Sequence, residues 1–223
     1  MRSRFPNAGW MGLALAAETG VAAIALAVFG ANEHGTIIAL QLTGRLSFLL
    51  FLPAYAGGAM ATLFVRLQPL RQHGREFGLA FASAHLVHLG LVVWLCWIGA
   101  APGIRAFIVF GVAAFWTYLL ALLSFSEPQR ALGPRGWWFV RLVGMNYIFF
   151  AFARDLLKLP GSSGGGVRYI AAYLPFAALA IGAAIAYVMS FLLRSRPASM
   201  GAQIWRWRRP AEGRGINPPL PQK

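Results

Sequence analysis

Two histidines lie three residues apart inside an apolar run of the chain. The segment reads "AHLVHLG" (84–90) and contains His85 and His88. Residues three apart on a helix lie on one face, within one turn of each other. Ionisable side chains near the centre of a membrane helix are costly and usually face the interior of the bundle. The spacing therefore favours a functional pair, with a histidine that only hydrogen-bonds to a neighbouring helix as the alternative.

A carboxyl group is the second unusual feature. Glu18 lies near the centre of the first apolar segment, at roughly the depth expected for His85 and His88. A bare carboxylate at that depth would be very costly, so Glu18 must be protonated or paired. Pairing with an imidazole would provide a proton relay or orient a ligand histidine. The alternative is a neutral carboxyl bonded to a backbone carbonyl or to a hydroxyl, such as that of Thr43 or Ser47.

The elements that must hold these side chains are apolar segments of membrane-spanning length. Of the 223 residues, 58% are hydrophobic and 12% are charged, about half the charged share of soluble domains. Apolar stretches of ~20 residues recur, which is the length needed to cross ~30 Å of hydrocarbon. The backbone must satisfy its own hydrogen bonds in lipid, so each stretch is expected to be a helix.

This pattern predicts an all-α membrane protein, a six-transmembrane-helix bundle. The expected spans are roughly 9–30, 42–65, 77–99, 103–125, 137–157 and 168–193. The first span follows Arg2 and Arg4, as a signal peptide would. It is too long for a signal peptide and contains Glu18, so we interpret it as a retained helix.

The net charge of +14 is distributed between the spans rather than in one patch. Basic residues precede the first span, fill the loops after the second and fourth spans, and accumulate in the C-terminal tail. The positive-inside rule then places both termini in the cytoplasm, as in a bacterial-type inner membrane. The expected domains are a transmembrane unit, 1–193, and a basic disordered tail, 194–223.

The tail contains "IWRWRRP" (204–210), in which two tryptophans alternate with three arginines. Such a segment suits anionic lipids at the inner leaflet, and a tail that only fixes the topology is the alternative. The lipid bilayer is therefore the expected environment, and nucleic acid is not an expected partner.

Two segments around the histidines resemble the ferric reductase-like transmembrane family. They are "LTGRLSFLLFLPAY" (42–55) and "RLQPLRQHGREFGLAFASAHLVHLG" (66–90), and the likeness covers spans two to five. Members of that family commonly have basic residues, then a glycine and an apolar run that ends in a heme-ligating histidine. Arg75, Gly78 and His88 follow that order. The resemblance implies heme b, with His88 as the iron ligand and His85 as an extra imidazole.

The fifth span departs from the family pattern. The family holds heme iron from both sides, with histidines on the third and fifth helices. Here the fifth span, "WWFVRLVGMNYIFFAFARDLL" (137–157), contains no histidine, and Val140 and Ala153 stand at the two ligand positions. A bis-histidine site between the third and fifth helices is therefore not expected.

Several other residues remain as candidates for a second ligand. His73 lies in the cytoplasmic loop before the third span and is a candidate for a second, cytoplasm-proximal site, although Gly74 makes a continuous helix there doubtful. Met145 is a candidate sixth ligand because thioethers bind heme iron, and Tyr147 is another. A five-coordinate site on His88 alone is the remaining alternative.

Arginines near the ends of spans could hold the anionic groups of such a cofactor. Arg45 and Arg154 lie toward the external side, and Arg141 lies toward the cytoplasmic side. Guanidinium groups bind carboxylates through two parallel hydrogen bonds, so these arginines could clamp heme propionates, quinone carbonyls or a lipid headgroup. The alternative is that they extend to the membrane interface.

The leading hypothesis is a ferric reductase-like, heme b-dependent electron-transfer subunit. No Gly-rich phosphate loop, CxxC pair or HExxH occurs in the sequence, so a separate soluble or quinone partner would exchange the electrons. Two alternatives belong to other classes of function. One is a non-catalytic membrane subunit that retains the bundle without heme. The other is a small transporter or proton path that uses Glu18, His85 and His88.

Overall fold

The computed structural model describes residues 6–125, 128–156 and 167–194. The predicted basic tail lies outside the described residues from 195 onward, and so does the prediction for its segment 204–210. Within the described residues every regular element is a helix, which confirms the all-α class. The elements are α1 (Pro6–Phe29), α2 (Glu33–Leu63), a 3₁₀ turn (Val65–Leu67), α3 (Gln68–Gln72), α4 (Gly74–Trp97), α5 (Ile104–Phe125), α6 (Pro128–Leu156) and α7 (Val167–Arg194).

Five of these helices are long and apolar enough to cross a membrane. They are α1, α2, α4, α5 and α7. The predicted fifth span, 137–157, falls in α6, which is helical but does not belong to this group. Its path is broken at Gly133, which has φ +69°, and it carries four arginines and an aspartate. These charges explain why α6 is less apolar than its neighbours. The topology with six membrane spans therefore stays a prediction.

The start of α2 differs from the sequence expectation. The apolar pattern began the second span at residue 42 and left His34 in a loop, whereas α2 begins at Glu33 and has His34 in its first turn. The Asn32 side chain caps this helix by accepting a hydrogen bond from the Gly35 backbone N–H at 3.0 Å. The hydropathy pattern shows only where a helix is apolar. Because Asn32 caps its start, α2 begins before its apolar part.

The turn between α1 and α2 is tight. Gly30 ends α1 with φ +88°, a conformation that favours glycine. Gly35 packs so closely on this turn that an added Cβ would overlap the Gly30 carbonyl oxygen. Glu18 and Ser47 lie at nearly equal distances along the chain from this turn, so an antiparallel hairpin brings them to the same level.

Most of the other helices pack around α2, and α5 joins them through α6 and α4. Helix α4 lies against both α1 and α2, α5 pairs with α6, and α7 packs on α2. The Tyr55 ring of α2 stacks on Phe149 of α6 at 4.6 Å and on Tyr187 of α7 at 5.3 Å between ring centroids. The Tyr55 hydroxyl also donates to Asn146 Oδ1 at 3.0 Å. These contacts join α2, α6 and α7 in one core.

Small residues in α2 allow a close approach, as the segment "AYAGGAMA" (54–61) predicts. A Cβ at Gly57 would lie 3.1 Å from Leu70 Cβ. The close neighbour is therefore the short helix α3, which folds back on the end of α2.

We expect Gly35→Ala to destabilise the protein, because its methyl group would overlap the Gly30 carbonyl oxygen and open the α1–α2 turn. The expected loss is about 1–3 kcal/mol, the usual cost of overpacking. Thermal unfolding in detergent measures it. Gly90→Ala is the matched control, since a Cβ at Gly90 meets nothing within 4 Å. Equal unfolding temperatures for the two variants would contradict the tight turn.

Candidate ligand site: paired histidines at an apolar cavity

Two hydroxyl groups of α2 face the two histidines of α4. Thr43 Oγ1 lies 2.9 Å from His88 Nδ1, and Ser47 Oγ lies 3.4 Å from His85 Nδ1. The hydroxyls are four residues apart and the imidazoles three, so each pair occupies one face of its helix. Because α2 and α4 run antiparallel, the two contacts form consecutive rungs. We call these four side chains the hydroxyl–imidazole ladder.

Glu18 joins the ladder through Ser47. Its side chain is fully buried, and Ser47 Oγ lies 2.9 Å and 3.2 Å from its two carboxyl oxygens. The structure thus gives Glu18 a hydroxyl partner, one of the two arrangements that the sequence left open. Ser47 in turn connects the carboxyl group to His85, so α1, α2 and α4 meet at this point.

The hydrogen bonds favour one tautomer of each imidazole. The Thr43 hydroxyl donates to the Ala39 carbonyl oxygen at 2.9 Å, so toward His88 it is suited to accept from the His88 Nδ1–H. The Ser47 hydroxyl donates to the Glu18 carboxyl group, so it is suited to accept from the His85 Nδ1–H in the same way. Each neutral ring then has an unprotonated Nε2.

Both rings border one cavity of about 500 Å³, which we call the histidine cavity. The two rings are stacked, with centroids 5.0 Å apart and planes at 11°. The other walls come mainly from α2, α5 and α6 and are largely apolar. A cavity of this size with few polar groups is typical of a site for a small organic ligand or cofactor.

Arg45 lies in the wall of the histidine cavity. Its guanidinium carbon lies 4.6 Å from the centroid of the Tyr173 ring and 5.7 Å from that of Phe176, both cation–π distances. Its Nε is buried and has no hydrogen-bond partner. Buried N–H groups are rarely left unpaired, so this one is available to an acceptor on a ligand. Asp155 also lines this cavity.

A second cavity of about 550 Å³ lies beside the first, and we call it the arginine cavity. Arg75, Trp137, Arg141 and Met145 contribute to its lining. The two cavities share three lining residues, which form the boundary between them: Phe81, Thr117 and Ile148.

The structure brings some of the predicted site residues together and separates others. His85, His88 and Arg45 share the histidine cavity, whereas Met145 and Arg141 line the arginine cavity. The lining of the histidine cavity does not include Met145, the predicted sixth ligand.

His73 and Tyr147 also lie apart from the paired histidines. His73 is exposed in the turn between α3 and α4, where its Nδ1–H donates to the Pro69 carbonyl oxygen at 2.9 Å. The Tyr147 hydroxyl donates to the Val109 carbonyl oxygen at 3.4 Å. Neither residue lines the histidine cavity or the arginine cavity.

Sequence reasoning missed the role of α2 in holding the histidines. Thr43 and Ser47 were weighed only as partners of Glu18, and Gly44 was not considered. A Cβ at Gly44 would lie 3.4 Å from His88 Cε1, so this glycine faces the His88 ring. The sequence signal for this role was the pair Thr43 and Ser47, four residues apart with a glycine between them. They lie on the helix that runs antiparallel to the helix of the two histidines.

Within 6–125, 128–156 and 167–194, no group of three or more His, Cys, Asp or Glu side chains is placed to hold a metal ion. Comparisons of the chain with protein-family models, curated proteins and solved structures found no match. The fold and the two cavities define the class: a bundle of long apolar helices with paired histidines beside an apolar cavity.

We expect Ser47→Ala to destabilise the protein by about 1–3 kcal/mol, since Glu18 would lose its hydroxyl partner in a buried site. Ser190→Ala is the control, because the Ser190 hydroxyl bonds only to the Tyr187 carbonyl within its own helix. Thermal unfolding of both variants in detergent measures the difference. In a Glu18→Met background, Ser47→Ala should cost much less. An equal cost in both backgrounds would contradict the contact.

Proposed function

We propose that the chain is an integral membrane protein that binds heme b in the histidine cavity and transfers electrons between separate partners. The observation that carries the proposal is the ladder, which holds two imidazoles beside an apolar cavity of about 500 Å³ and favours the tautomer with an unprotonated Nε2. Neutral imidazole is a common axial ligand of heme iron. The resemblance of the sequence to ferric reductase-like membrane subunits supports the same assignment.

His88 is the better placed of the two histidines to bind iron. Its Nδ1–H donates to Thr43 at 2.9 Å, whereas the corresponding contact of His85 measures 3.4 Å. Ligating histidines commonly donate their other N–H to a neighbouring acceptor, which fixes the orientation of the ring.

Arg45 is suited to hold a propionate. A propionate is an anion, and Arg45 presents a buried N–H without a protein partner in the same cavity. The stacking of its guanidinium on Tyr173 fixes the group without using its hydrogen-bond donors. The residues present thus fit both the iron and the acidic edge of heme b.

The geometry favours ligation from one side. His85 and His88 are on the same helix with nearly parallel rings 5.0 Å apart, so they cannot bind opposite faces of one iron. The walls from α5 and α6 are mostly apolar, with residues such as Phe110, Ala113 and Phe152. Thr117 and Asp155 are the polar residues of these walls, and neither is a common ligand of heme iron. We therefore propose a heme with His88 as its only protein ligand.

Heme b supplies reversible one-electron exchange at iron when it is bound. The chain would contribute the imidazole of His88 as iron ligand, its orientation by Thr43, and a positive charge from Arg45 for the propionates. The apolar lining excludes water, and Glu18 with Ser47 holds His85 beside the ligand. Electrons would enter and leave through a soluble or quinone partner.

The membrane setting belongs to the same proposal. The five apolar helices together with α6 would give six spans in an inner membrane, with both termini in the cytoplasm. The basic loops at the end of the bundle that includes Arg66 and Arg71 support this orientation.

A specific contact also favours a proton path as a second candidate function. Glu18, Ser47 and His85 form a hydrogen-bonded chain from a buried carboxyl group to the cavity. Such a chain can pass a proton if each member both donates and accepts. A protein that binds no heme but conducts protons in liposomes, with loss of conduction in Glu18→Gln, would favour this candidate.

We expect the protein, purified in mild detergent after expression with a heme precursor, to show a reduction-sensitive b-type absorption spectrum. Its ferrous form should bind carbon monoxide, because one axial position has no protein ligand. His88→Ala should lose the bound heme, and imidazole added to the buffer should restore it. His85→Ala should retain it.

His34→Ala is the matched control, since His34 is exposed in the first turn of α2. Visible spectra of the oxidised and reduced forms are recorded for the wild type and for the three variants. A colourless wild type under ample heme supply, or heme retained by His88→Ala without imidazole, would overturn the proposal.

We expect Thr43→Val to weaken heme binding by about 10- to 100-fold, the usual effect of losing a hydrogen bond to a metal-ligating histidine. The valine keeps the shape of the side chain but cannot accept from the His88 Nδ1–H. Heme titration followed by absorbance gives the affinity. Thr19→Val serves as the control, because the Thr19 hydroxyl bonds only to Leu15 within its own helix. Equal affinities for both variants would show that the ladder does not support the ligand.

A further inference from the structure

The arginine cavity has no role in the proposed heme site, and its lining has a distinct chemistry. Two of its lining residues are cationic, Arg75 and Arg141, and none is acidic. It contains no histidine, so it lacks the imidazole that supports heme binding next door. Most of the other lining residues are apolar.

The charged groups lie at one end of this cavity. Arg75 is in the first turn of α4, and Arg141 follows Trp137 in the early part of α6. Phe81 lies six residues beyond Arg75, or ~9 Å along the helix, and Ile148 lies seven beyond Arg141, or ~10 Å. The cavity therefore changes over ~10 Å from a cationic end to an apolar end.

Arg75 is held in place at the cationic end. Its Nη2 donates to the Ser124 carbonyl oxygen at 2.7 Å, which ties α4 to the end of α5. A guanidinium has five N–H donors in a planar fork, so most of them remain for an anion. Arg141, across the same cavity on α6, provides the second cation.

We propose that the arginine cavity binds a lipid with an anionic head, whose phosphate or carboxylate lies between Arg75 and Arg141. One alkyl chain occupies the apolar end, bounded by Phe81, Thr117 and Ile148. A free inorganic anion would leave the apolar end unfilled, and a neutral lipid would not form charge-assisted hydrogen bonds with both guanidinium groups. An anionic amphiphile satisfies both ends.

Trp137 provides a direct test, because it lines this cavity. The full chain, purified without heme, is mixed in non-ionic detergent with phosphatidylglycerol that carries bromines on its acyl chains. Bromine quenches tryptophan fluorescence on contact. The chain has eight tryptophans, so the difference between wild type and Trp137→Phe isolates the Trp137 signal.

We expect brominated phosphatidylglycerol to quench the Trp137 signal and brominated phosphatidylcholine to do so about tenfold less effectively. The double variant Arg75→Gln/Arg141→Gln should weaken the quenching by phosphatidylglycerol by a similar factor. Arg66→Gln/Arg71→Gln is the matched control, since it removes the same charge from exposed arginines at the same end of the bundle that line neither cavity. It should leave the quenching unchanged.

Brominated oleate, which has a carboxylate headgroup, distinguishes a site for a carboxylate from a site for a phosphate. Quenching by both oleate and phosphatidylglycerol supports a site for either anion, and quenching by phosphatidylglycerol alone assigns the phosphate. The proposal would be overturned if phosphatidylcholine quenched the Trp137 signal as well as phosphatidylglycerol does. It would also be overturned if phosphatidylglycerol quenched the two double variants equally.

A competition on the wild type covers the case in which the double variant fails to fold. Unbrominated phosphatidylglycerol should displace the quencher, and unbrominated phosphatidylcholine should not. Equal displacement by both lipids would overturn the proposal. No heme is present in any of these samples, so the result is independent of the heme assignment.

Discussion

The organisation of this protein depends on the hydrogen-bonded rungs between α2 and α4. An imidazole in an apolar interior is costly unless its N–H finds an acceptor. Thr43 and Ser47 provide that acceptor for His88 and His85, at 2.9 Å and 3.4 Å. The ladder thereby allows two polar rings to lie deep in the bundle and favours the tautomer in which Nε2 of each ring carries no proton.

The other helices follow from this arrangement. The tight turn at Gly30 makes α1 antiparallel to α2, so Glu18 reaches Ser47 and is satisfied in a fully buried position. Helices α6 and α7 complete the opposite side through aromatic contacts with α2, such as the stacking of Tyr55 on Phe149 and on Tyr187, and α5 packs on α6. Two cavities remain between these groups of helices, one beside the histidines and one beside two arginines.

Much of the site could be predicted from local spacing. The i, i+3 separation placed His85 and His88 on one face, and the centring of the apolar segments put Glu18 at their depth. The partner of Glu18 was reduced to a short list that included Ser47. These predictions depend only on helical geometry and on the cost of burying polar groups.

Other features depend on how helices rotate about their axes, which hydropathy does not determine. Helix α6 turns Met145 and Arg141 into the arginine cavity, so neither meets the histidines. The early start of α2 depends on capping by Asn32 rather than on apolar residues. Because α6 is charged, five of the described helices are apolar enough to cross a membrane, whereas the sequence predicted six.

The central claim is that His88 carries its proton on Nδ1 and offers an unprotonated Nε2 to the cavity. Solid-state ¹⁵N NMR of the histidine-labelled protein in lipid bilayers, without heme, tests this directly, with His88→Ala used to assign the signals. The account predicts a protonated, pyrrole-type signal for His88 Nδ1 and an unprotonated, pyridine-type signal for His88 Nε2. An Nε2-protonated tautomer or a charged imidazolium at His88 would contradict it.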